Sequence, residues 1–533
     1  MYDYVIVGAG SAGCVLAHRL TEDGRRTVLL LEAGPKDTYP WIHIPIGYGK
    51  TMFHPVYNWG FYTEPEPGMN HRRVYWPRGR GLGGSSSING LIYVRGQPED
   101  YDRWAALGNS GWSWREVLPY FRKSEHNTRG ASEFHGADGP VWCADIGERH
   151  KLMEAIIRAA GELGVARNDD FNGVTQEGVG YYQLFTRKGL RCSAATAYLR
   201  PAQSRRNLRV ETNAHATAIA FDGARATGVR YLQHGVAKEA DAGREVILAA
   251  GALQSPQLLQ VSGVGRAAFL REMGIPVVRD LPGVGENLQD HLQLRLMYKV
   301  RKPITTNDEL RSVIGKLRIG LRWLIFRTGP LAIGINQGGL FTRVLPESKT
   351  PDIQFHFATL SADIAGGKPH AWPGCTFSVC QLRPESRGTV MIKSPDPLQP
   401  PAMRPNYLAS ETDCRCAVEA VKFARRLAAA PALGEYIAEE YRPGTAAATD
   451  RELLDFARSY GATIFHPSGT CRMGADPMAV VDERLRVHGL AGLRVVDCSV
   501  MPTLTSGNTH APVVMIAEKA ADLIREDALH AGT

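Results

Sequence analysis

The first 34 residues read MYDYVIVGAGSAGCVLAHRLTEDGRRTVLLLEAG, and this stretch decides the fold. Residues 4–7 form a short β-branched run, which is typical of a buried parallel strand. The glycine-rich segment 8–13 follows directly, and residues 14–20 have the pattern of a helix. A second apolar strand, residues 27–31, ends on Glu32. The order strand, turn, helix, strand is the context in which such glycines indicate a dinucleotide-binding unit.

The three glycines of this turn have separate tasks in the dinucleotide interpretation. Gly8 allows the tight turn, Gly10 lets the backbone approach a pyrophosphate, and Gly13 lets the helix pack on the strand. The phosphates would lie at the helix N-terminus, where unpaired N–H groups and the helix dipole favour anions. Glu32 lies where an acid that accepts hydrogen bonds from the adenosine ribose is expected. A glycine-rich turn in some other α/β unit would leave this acid and the spacing unexplained.

The size and composition indicate a globular protein with more than one lobe. The chain has 533 residues, of which 44% are hydrophobic and 22% are charged, an ordinary composition for such proteins. The formal net charge is +8 and the pI is near 9.0, a balance that favours acidic membrane surfaces or anionic partners. Lysine and arginine are nowhere interleaved with aromatic residues in the manner of a nucleic-acid-binding surface, so we expect no nucleic-acid partner.

Three kinds of segment are missing from the sequence. No run of eighteen apolar residues occurs, so we expect no membrane-spanning helix. The first strand begins at once, which leaves no room for a signal peptide and favours a cytoplasmic location. The nine cysteines are scattered without a CxxC pair. This spacing predicts reduced thiols and neither a disulfide framework nor a zinc or other metal site.

Two further motifs carry a family resemblance. Residues 78–95 read RGRGLGGSSSINGLIYVR, which suits either a linker or a loop that wraps a polar ligand. Residues 251–265 read GALQSPQLLQVSGVG. Together with the N-terminal fingerprint, these segments resemble the two signatures of the glucose–methanol–choline (GMC) oxidoreductases. The resemblance runs from Tyr2 to about Arg525, and it is particularly to the bacterial choline dehydrogenase and alcohol dehydrogenase branch.

The resemblance implies a cofactor and a domain organisation. The family binds FAD, a choice between dinucleotides that the fingerprint itself could not make. The implied fold class is α/β plus α+β, with a Rossmann-like FAD-binding domain and a substrate domain built on an antiparallel sheet. The FAD-binding domain would be discontinuous and comprise residues 1–291 and 460–533. The substrate-binding domain would comprise residues 292–459 with parts of 35–200, and the aromatic-rich loop 35–77 would cover the cofactor.

The same resemblance implies the residues that contact FAD. They come from the fingerprint, the two family signatures, the strands and the C-terminal segment: Gly8, Gly10, Ser11, Gly13, Glu32, Ala33, Trp59, Arg80, Leu82, Gly84, Asn89, Gly90, Leu91, Ile92, Ala216, Asp497, Asn508, Thr509 and His510. Some relatives tether FAD through a histidine immediately before the signature asparagine. Because Ile88 occupies that position here, we expect non-covalent binding.

The C-terminal segment contains the implied catalytic pair. Residues 465–474 read FHPSGTCRMG, and residues 506–512 read SGNTHAP. A lone histidine before a proline is more often structural than catalytic, but the resemblance implies that His466 is the active-site base. It implies Asn508 as the partner of this base, although a shift of two positions would make His510 the partner. His291, in a further family-like motif, is interpreted as structural.

The implied function is the FAD-dependent oxidation of a primary alcohol to an aldehyde. A neutral imidazole suits the removal of the hydroxyl proton near pH 7, and the resemblance implies hydride transfer to flavin N5. Electrons would then pass to a quinone or another carrier. Two alternatives stay open, an alcohol oxidase that uses O₂ and makes H₂O₂, and a non-redox member of the family such as a hydroxynitrile lyase. No motif indicates which alcohol is the substrate, or the oligomeric state.

One helix allows two interpretations. Residues 310–328 carry an apolar stripe at helical spacing with five basic residues around it, and no acidic residue occurs from 310 to 346. Such a helix could lie on an anionic membrane, which would be the inner face for a cytoplasmic protein. Apolar residues on its other side blur the amphipathic pattern, however, and we favour an ordinary covering helix near the substrate entrance.

Overall fold

The computed structural model describes residues 1–530, and its first sheet confirms the Rossmann-like part of the predicted fold class. The parallel strands of this sheet are, in spatial order, Leu208–Glu211, Val28–Leu31, Tyr2–Val7, the end of Val236–Leu248, and Leu493–Val495. The strand Val28–Leu31 is buried along its whole length. Continuous aliphatic runs form such strands because both faces of a parallel sheet are covered.

A three-stranded antiparallel meander extends from this sheet. It consists of Ala214–Asp222, Arg225–Gln233 and Val236–Leu248. The last residues of its third strand also pair in parallel with Tyr2–Val7. The chain therefore leaves the meander next to the fingerprint strand, where the helix Gly251–Val261 begins.

Two helices that pack against each other beside the parallel sheet belong to opposite ends of the chain. Ser11–Leu20 begins directly after the fingerprint turn, and His510–His530 closes the described chain. Arg19 on the first helix pairs with the buried Glu518 on the second at 2.9 Å. This contact joins the N-terminal and C-terminal segments, so motifs that are far apart in sequence share one site.

The second sheet is antiparallel throughout, as predicted for the α+β part of the chain. Its order is Ile437–Arg442, Leu292–Val300, Gly374–Gln381, Ile353–Ala358, Asn336–Thr342 and Gly178–Tyr181, with Ala462–Thr463 also paired to Leu292–Val300. A strand from within residues 35–200 thus joins this sheet. Ala462–Thr463 joins it too, although the sequence-based division assigns residues 460–533 to the first domain. The helices Lys151–Glu162 and Glu411–Ala428 pack against it through an apolar core.

The remaining elements connect and cover the two sheets. The other helices are Pro40–His43, Tyr48–Thr51, Pro98–Ala106, Trp114–Ser124, Arg200–Ala202, Ala267–Glu272, Thr306–Arg311, Val313–Phe326 and Asp450–Tyr460. Short 3₁₀ or π turns occur at Pro45–Gly47, Pro67–Met69, Gly84–Ser87, Ala195–Leu199, Pro330–Ala332, Pro431–Leu433 and Cys498–Val500. Short strands occur at Phe61–Tyr62, Tyr75–Trp76, Glu125–Asn127, Val141–Asp145, Gln183–Leu184, Thr186–Arg187, Leu190–Arg191, Val264–Gly265, Arg279–Asp280, Thr389–Met391 and Ala402–Arg404.

The basic helix differs from the covering helix that we favoured. Val313–Phe326 faces the protein through Ile319, which is buried, and Trp323, whose ring N–H donates to the Gly189 carbonyl oxygen at 3.0 Å. Its apolar stripe faces outward instead, with Val313 82% exposed. A 3.6-residue period shows that a stripe exists but not which side of the helix is covered, so the sequence-based preference was wrong.

Two general findings concern membranes and metals. Across residues 1–530, no helix has both the length and the apolar character that crossing a bilayer requires. The nine cysteines all lie in this part of the chain and are free thiols. The same residues contain no cluster of histidine, cysteine and acidic side chains suited to a metal ion.

Candidate active site

One cavity runs from the fingerprint turn to the antiparallel sheet, and most of the implied FAD-contacting residues line it. They are Gly8, Gly10, Ser11, Glu32, Ala33, Trp59, Gly84, Asn89, Gly90, Leu91, Ile92, Ala216, Asp497, Asn508, Thr509 and His510. Three others lie behind this lining. Gly13 packs under the turn, Leu82 is in the core, and Arg80 stacks its guanidinium 4.9 Å from the centre of the Trp59 ring. Tyr48 also lines the cavity, so part of the 35–77 loop covers it.

Two of the three glycines of the fingerprint turn are required because a side chain would not fit. Gly8 has a φ of +100°, and a Cβ there would lie 2.6 Å from the Ala249 carbonyl oxygen. A Cβ on Gly13 would lie 1.8 Å from the Gly8 carbonyl oxygen, so the first helix packs directly on the turn. The N-cap residue of that helix is Gly10, which has no side chain to accept from the first N–H groups. These groups are therefore left for an anion in the cavity.

Glu32 organises the turn as well as lining the cavity. Its Oε2 accepts a hydrogen bond from Ala9 N at 2.9 Å, and its Oε1 accepts from Gly34 N at 2.8 Å and Gly81 N at 2.9 Å. Burial raises the pKa of this carboxyl, and the three N–H groups oppose that rise. A carboxylate has about four acceptor positions, so the second position on Oε2 can accept from a ribose hydroxyl.

Open space and positive charge near the turn fit a dinucleotide such as FAD. Among the described residues, a Cβ on Gly90 would meet nothing within 4 Å, and the same holds for Gly251 at the start of its helix. Arg191 is buried, and within the described chain its hydrogen bonds go to neutral oxygens, of which Asn89 Oδ1 is the closest at 2.7 Å. Because Ser86 and Asn89 line the cavity, this cation lies behind that part of the wall, where its charge favours an anion in the cavity.

Asp497 joins two parts of the cavity wall. Its Oδ2 accepts from Gly251 N at 2.8 Å and from Ser255 Oγ at 2.6 Å, and its Oδ1 accepts from Ser499 N at 2.8 Å. Burial raises the pKa of this carboxyl, and the donors stabilise its charged form. Because it receives the first N–H of the helix Gly251–Val261, it also compensates the positive end of that helix dipole.

His466 lies at the opposite end of the same cavity. The residue is 7% exposed, and Asn508 lines the cavity beside it. Its Nε2 lies 3.3 Å from Asn508 Nδ2, and its Nδ1 lies 2.9 Å from His291 Nδ1. Its backbone N–H donates to Asp290 Oδ1 at 2.8 Å. Each ring nitrogen therefore lies beside one side-chain partner, Asp290 holds the backbone, and the position of the ring proton can be assigned.

The hydrogen bonds of His291 determine which nitrogen of His466 carries the proton. His291 Nε2 lies 2.9 Å from the Leu382 carbonyl oxygen. A carbonyl only accepts, so this nitrogen carries the proton, and Nδ1 of a neutral His291 must be an acceptor. His466 Nδ1 therefore donates to it. His466 Nε2 is left with a lone pair toward the cavity, which is the form that a general base requires.

Burial keeps both rings neutral. It lowers the pKa of His466 well below its usual value, and the nearby His291, His356 and Arg78 lower it further. Burial also lowers the pKa of His291 to about 4. Both imidazoles are thus uncharged at pH 7, and the proton arrangement described above applies at that pH.

The structure separates the environments of Asn508 and His510. Gln354 Nε2 donates to Asn508 Oδ1 at 3.2 Å, which turns the Asn508 Nδ2 toward His466. His510 Nδ1 instead lies 3.0 Å from Ser11 Oγ, at the fingerprint end of the cavity. Burial lowers the pKa of His510 to about 3, so this ring is neutral. Asn508 is therefore the residue of this pair that contacts His466.

Sequence reasoning missed two polar residues of the antiparallel sheet. Gln354 and His356 alternate on the strand Ile353–Ala358 and so point to one face, and His356 lines the cavity. Neither ring nitrogen of His356 makes a well-formed hydrogen bond among residues 1–530. Burial lowers the pKa of His356 to about 3, although the neighbouring Asn508 side chain acts to raise it. A buried neutral ring at a cavity wall that is not firmly hydrogen-bonded suits contact with a polar ligand. Polar residues at alternate positions of an apolar strand were the signal that could have revealed both.

The fold and the cavity together define a class of protein. A parallel sheet and an antiparallel sheet share one cavity, which has an anion-binding helix N-terminus at one end and a neutral basic histidine at the other. This arrangement is that of an oxidoreductase with a bound dinucleotide, in which the protein orients the substrate against the cofactor.

Comparison with known proteins identifies the family. Residues 2–293 and 384–517 match the GMC oxidoreductase family, and the chain belongs to it. It is 45% identical to an alcohol dehydrogenase (acceptor) of Pseudomonas putida, over 98% of this chain and 96% of the relative. It is 46% identical to an oxygen-dependent choline dehydrogenase of Serratia proteamaculans, again over 98% of this chain and 96% of the relative. The crystal structure of pyridoxine 4-oxidase from Mesorbium loti matches with a TM-score of 0.89 and 32% identity, over 99% of both chains.

These matches confirm the resemblance that the two signatures carried. The chain is an FAD-dependent oxidoreductase that acts on CH–OH groups. The roles of individual residues rest on the geometry of the cavity.

Proposed function

We propose that this chain oxidises a neutral primary alcohol to an aldehyde, with non-covalently bound FAD, and passes the electrons to a quinone or another carrier. The observation that carries the proposal is the pair formed by His466 and Asn508 in the same cavity as the nucleotide fingerprint. A cytoplasmic location, with peripheral contact at the inner face of a membrane, is part of the proposal.

The residues that line the cavity would hold the cofactor. The N–H groups after Gly10 suit the diphosphate, the charge of Arg191 behind Asn89 adds to the attraction, and the open position on Glu32 suits a ribose hydroxyl. When bound, FAD supplies the acceptor for the hydride of the alcohol carbon. Ile88 lies in the cavity wall and is an alkyl side chain, so it cannot form a covalent bond to the cofactor.

His466 is the base in this proposal, and Asn508 positions the substrate oxygen. The lone pair on His466 Nε2 takes the hydroxyl proton, while the α-hydride leaves the same alcohol, so the product is the aldehyde. The 3.3 Å separation between His466 Nε2 and Asn508 Nδ2 is long for a hydrogen bond. A substrate hydroxyl can therefore replace this contact, donating to the histidine and accepting from the amide.

His291 is a positioning residue that supports the base. As His466 gains the proton it becomes cationic, and its Nδ1–H continues to donate to His291 Nδ1. Hydrogen bonds that involve a charged group are stronger than neutral ones, so this bond strengthens as the proton is transferred. The bond from His291 to the Leu382 carbonyl oxygen keeps the acceptor nitrogen in place.

The charges of the cavity favour a neutral substrate over a quaternary ammonium alcohol such as choline. Among the described residues that line it, the carboxylates are Glu32 and Asp497, and N–H or O–H donors already engage both. Arg78 lies near His466, because its Nη2 donates to the Phe465 carbonyl oxygen at 2.7 Å and its charge lowers the pKa of His466. The neutral polar residues Tyr48 and Asn336 line the same cavity. A cation there would meet a positive charge without a free carboxylate, which disfavours its binding.

Anaerobic flavin reduction tests this function. The purified holoenzyme is mixed with 1-alkanols, aryl alcohols, polyols and choline, and the loss of oxidised-flavin absorbance is followed. We expect a neutral primary alcohol to reduce the flavin, and choline to do so more slowly. Fastest reduction by choline would overturn the inference about charge, and no reduction by any alcohol would overturn the redox function. Oxygen consumption with the best substrate then separates an oxidase from a dehydrogenase.

A further inference from the structure

One helix exposes an apolar surface that the catalytic cavity does not explain. On Val313–Phe326, the exposed large apolar side chains are Val313 (82%), Ile314 (80%), Leu317 (62%), Leu321 (47%), Leu324 (62%), Ile325 (64%) and Phe326 (68%). Isolated exposed apolar residues are ordinary, but a contiguous group on one helix marks an interaction surface. We call this group the apolar stripe.

Six of the seven members of the stripe occupy one side of the helix. At about 100° per residue, its members other than Phe326 fall within an arc of roughly 120°, which is the width of an amphipathic face. The opposite side faces the protein through Ile319 and Trp323. The helix is therefore attached along one side and leaves its apolar side uncovered within the described structure.

Basic residues border the stripe on both sides. Arg318 follows one edge of the arc by about 20° and Lys316 precedes the other by about 60°, and both are exposed. Arg322 also lies on the Arg318 side, although it pairs with Glu148 at 2.8 Å. The helix itself contains no acidic residue.

We propose that this helix docks the protein on an anionic lipid bilayer, with the apolar stripe at the level of the acyl chains and the basic residues among the headgroups. An apolar face bordered by cations is the pattern of a helix that lies in a membrane interface, and each cation near an anionic surface adds attraction. A second copy of this chain fits less well, because two identical faces would bring their cations together. The proposal does not depend on which residues carry out catalysis.

The helix is close to the cavity wall. The turn Pro330–Ala332 follows it and contacts the turn Pro45–Gly47. Just beyond, a Cβ on Gly334 would lie 3.0 Å from the carbonyl oxygen of Gly90, which lines the cavity. Docking through this helix would therefore bring the wall of the cavity near the lipid surface.

Flotation of the holoenzyme with vesicles tests the proposal. One set contains phosphatidylcholine alone, and the other contains phosphatidylcholine with 30% phosphatidylglycerol. We expect binding to the anionic set that weakens in high salt, and a partition coefficient at least about tenfold lower for the double variant Leu317→Asp/Leu324→Asp. The matched control is Val174→Asp/Val236→Asp, which changes two exposed valines elsewhere and should bind like wild type.

The charge contribution is tested separately with Lys316→Glu/Arg318→Glu. We expect this variant to lose the preference for anionic vesicles while keeping its bound flavin and its rate of flavin reduction. The proposal is overturned if wild type binds neither set of vesicles, or if the aspartate variant binds as well as the valine control. It is also overturned if light scattering shows a dimer that only the stripe variant loses, because the stripe would then be covered by a second copy.

Discussion

Replacing His291 with alanine removes the acceptor of the His466 Nδ1 proton. The 2.9 Å contact between the two rings is buried, and a buried donor left without a partner costs about 1–3 kcal/mol. If this loss falls on the transition state, where His466 becomes cationic, anaerobic flavin reduction slows about 5- to 150-fold. If the proton moves to Nε2 instead, the lone pair that acts as the base is lost, and the rate falls as well.

The assay is stopped-flow reduction at saturating alcohol, with FAD content measured in the same sample. His291→Asn should recover much of the lost rate, because its carbonyl oxygen can accept near the position of the missing Nδ1. His488→Ala is the matched control, because that ring also lies 2.9 Å from a carbonyl oxygen, that of Gly474, but is hydrogen-bonded there and not to His466. The reasoning is refuted if His291→Ala reduces its flavin at the wild-type rate, or if the asparagine variant is no faster than the alanine variant.

Four other expectations follow from the same cavity. His466→Ala should slow flavin reduction by at least about 10²-fold without emptying the FAD site. Asn508→Ala should also slow flavin reduction, whereas a larger loss of rate in His510→Ala than in Asn508→Ala would make His510 the partner of His466. The wild-type reduction rate should stay constant between about pH 6 and 8 and fall only at lower pH, because the base is lost as pH drops through the depressed pKa of His466; a loss between pH 8 and 6 would contradict this. Glu32→Ala should lower FAD occupancy in dilute solution. It leaves three buried N–H groups of the cavity wall without an acceptor, at a cost of about 1–3 kcal/mol each, and full FAD occupancy in this variant would count against the role of Glu32. Acid precipitation should leave the yellow colour in the supernatant, since Ile88 cannot tether FAD, and a coloured washed pellet would disprove this.

Much of the fold could be predicted because its signals are local. The strand, turn, first helix and second strand lie within the first 34 residues, and their periodicity and glycines depend on neighbours in the chain. The two family signatures added the antiparallel sheet and the cofactor. Which side of the basic helix packs against the protein was not predictable. The period of 3.6 residues is the same whether the apolar stripe packs against the protein or, as here, faces solvent while Ile319 is buried.

The sequence by itself determined the fold class, the family and the position of His466 in a motif. Only the tertiary structure decided what that histidine contacts. The His466 ring meets that of His291, 175 positions away along the chain, and Gln354 turns the Asn508 amide toward it. Likewise, Glu32 binds the backbone of Gly81 across 49 positions. Such contacts arise when separate strands and helices pack into one core, so neither residue type nor spacing specifies them, and the proton position on His466 follows from that packing.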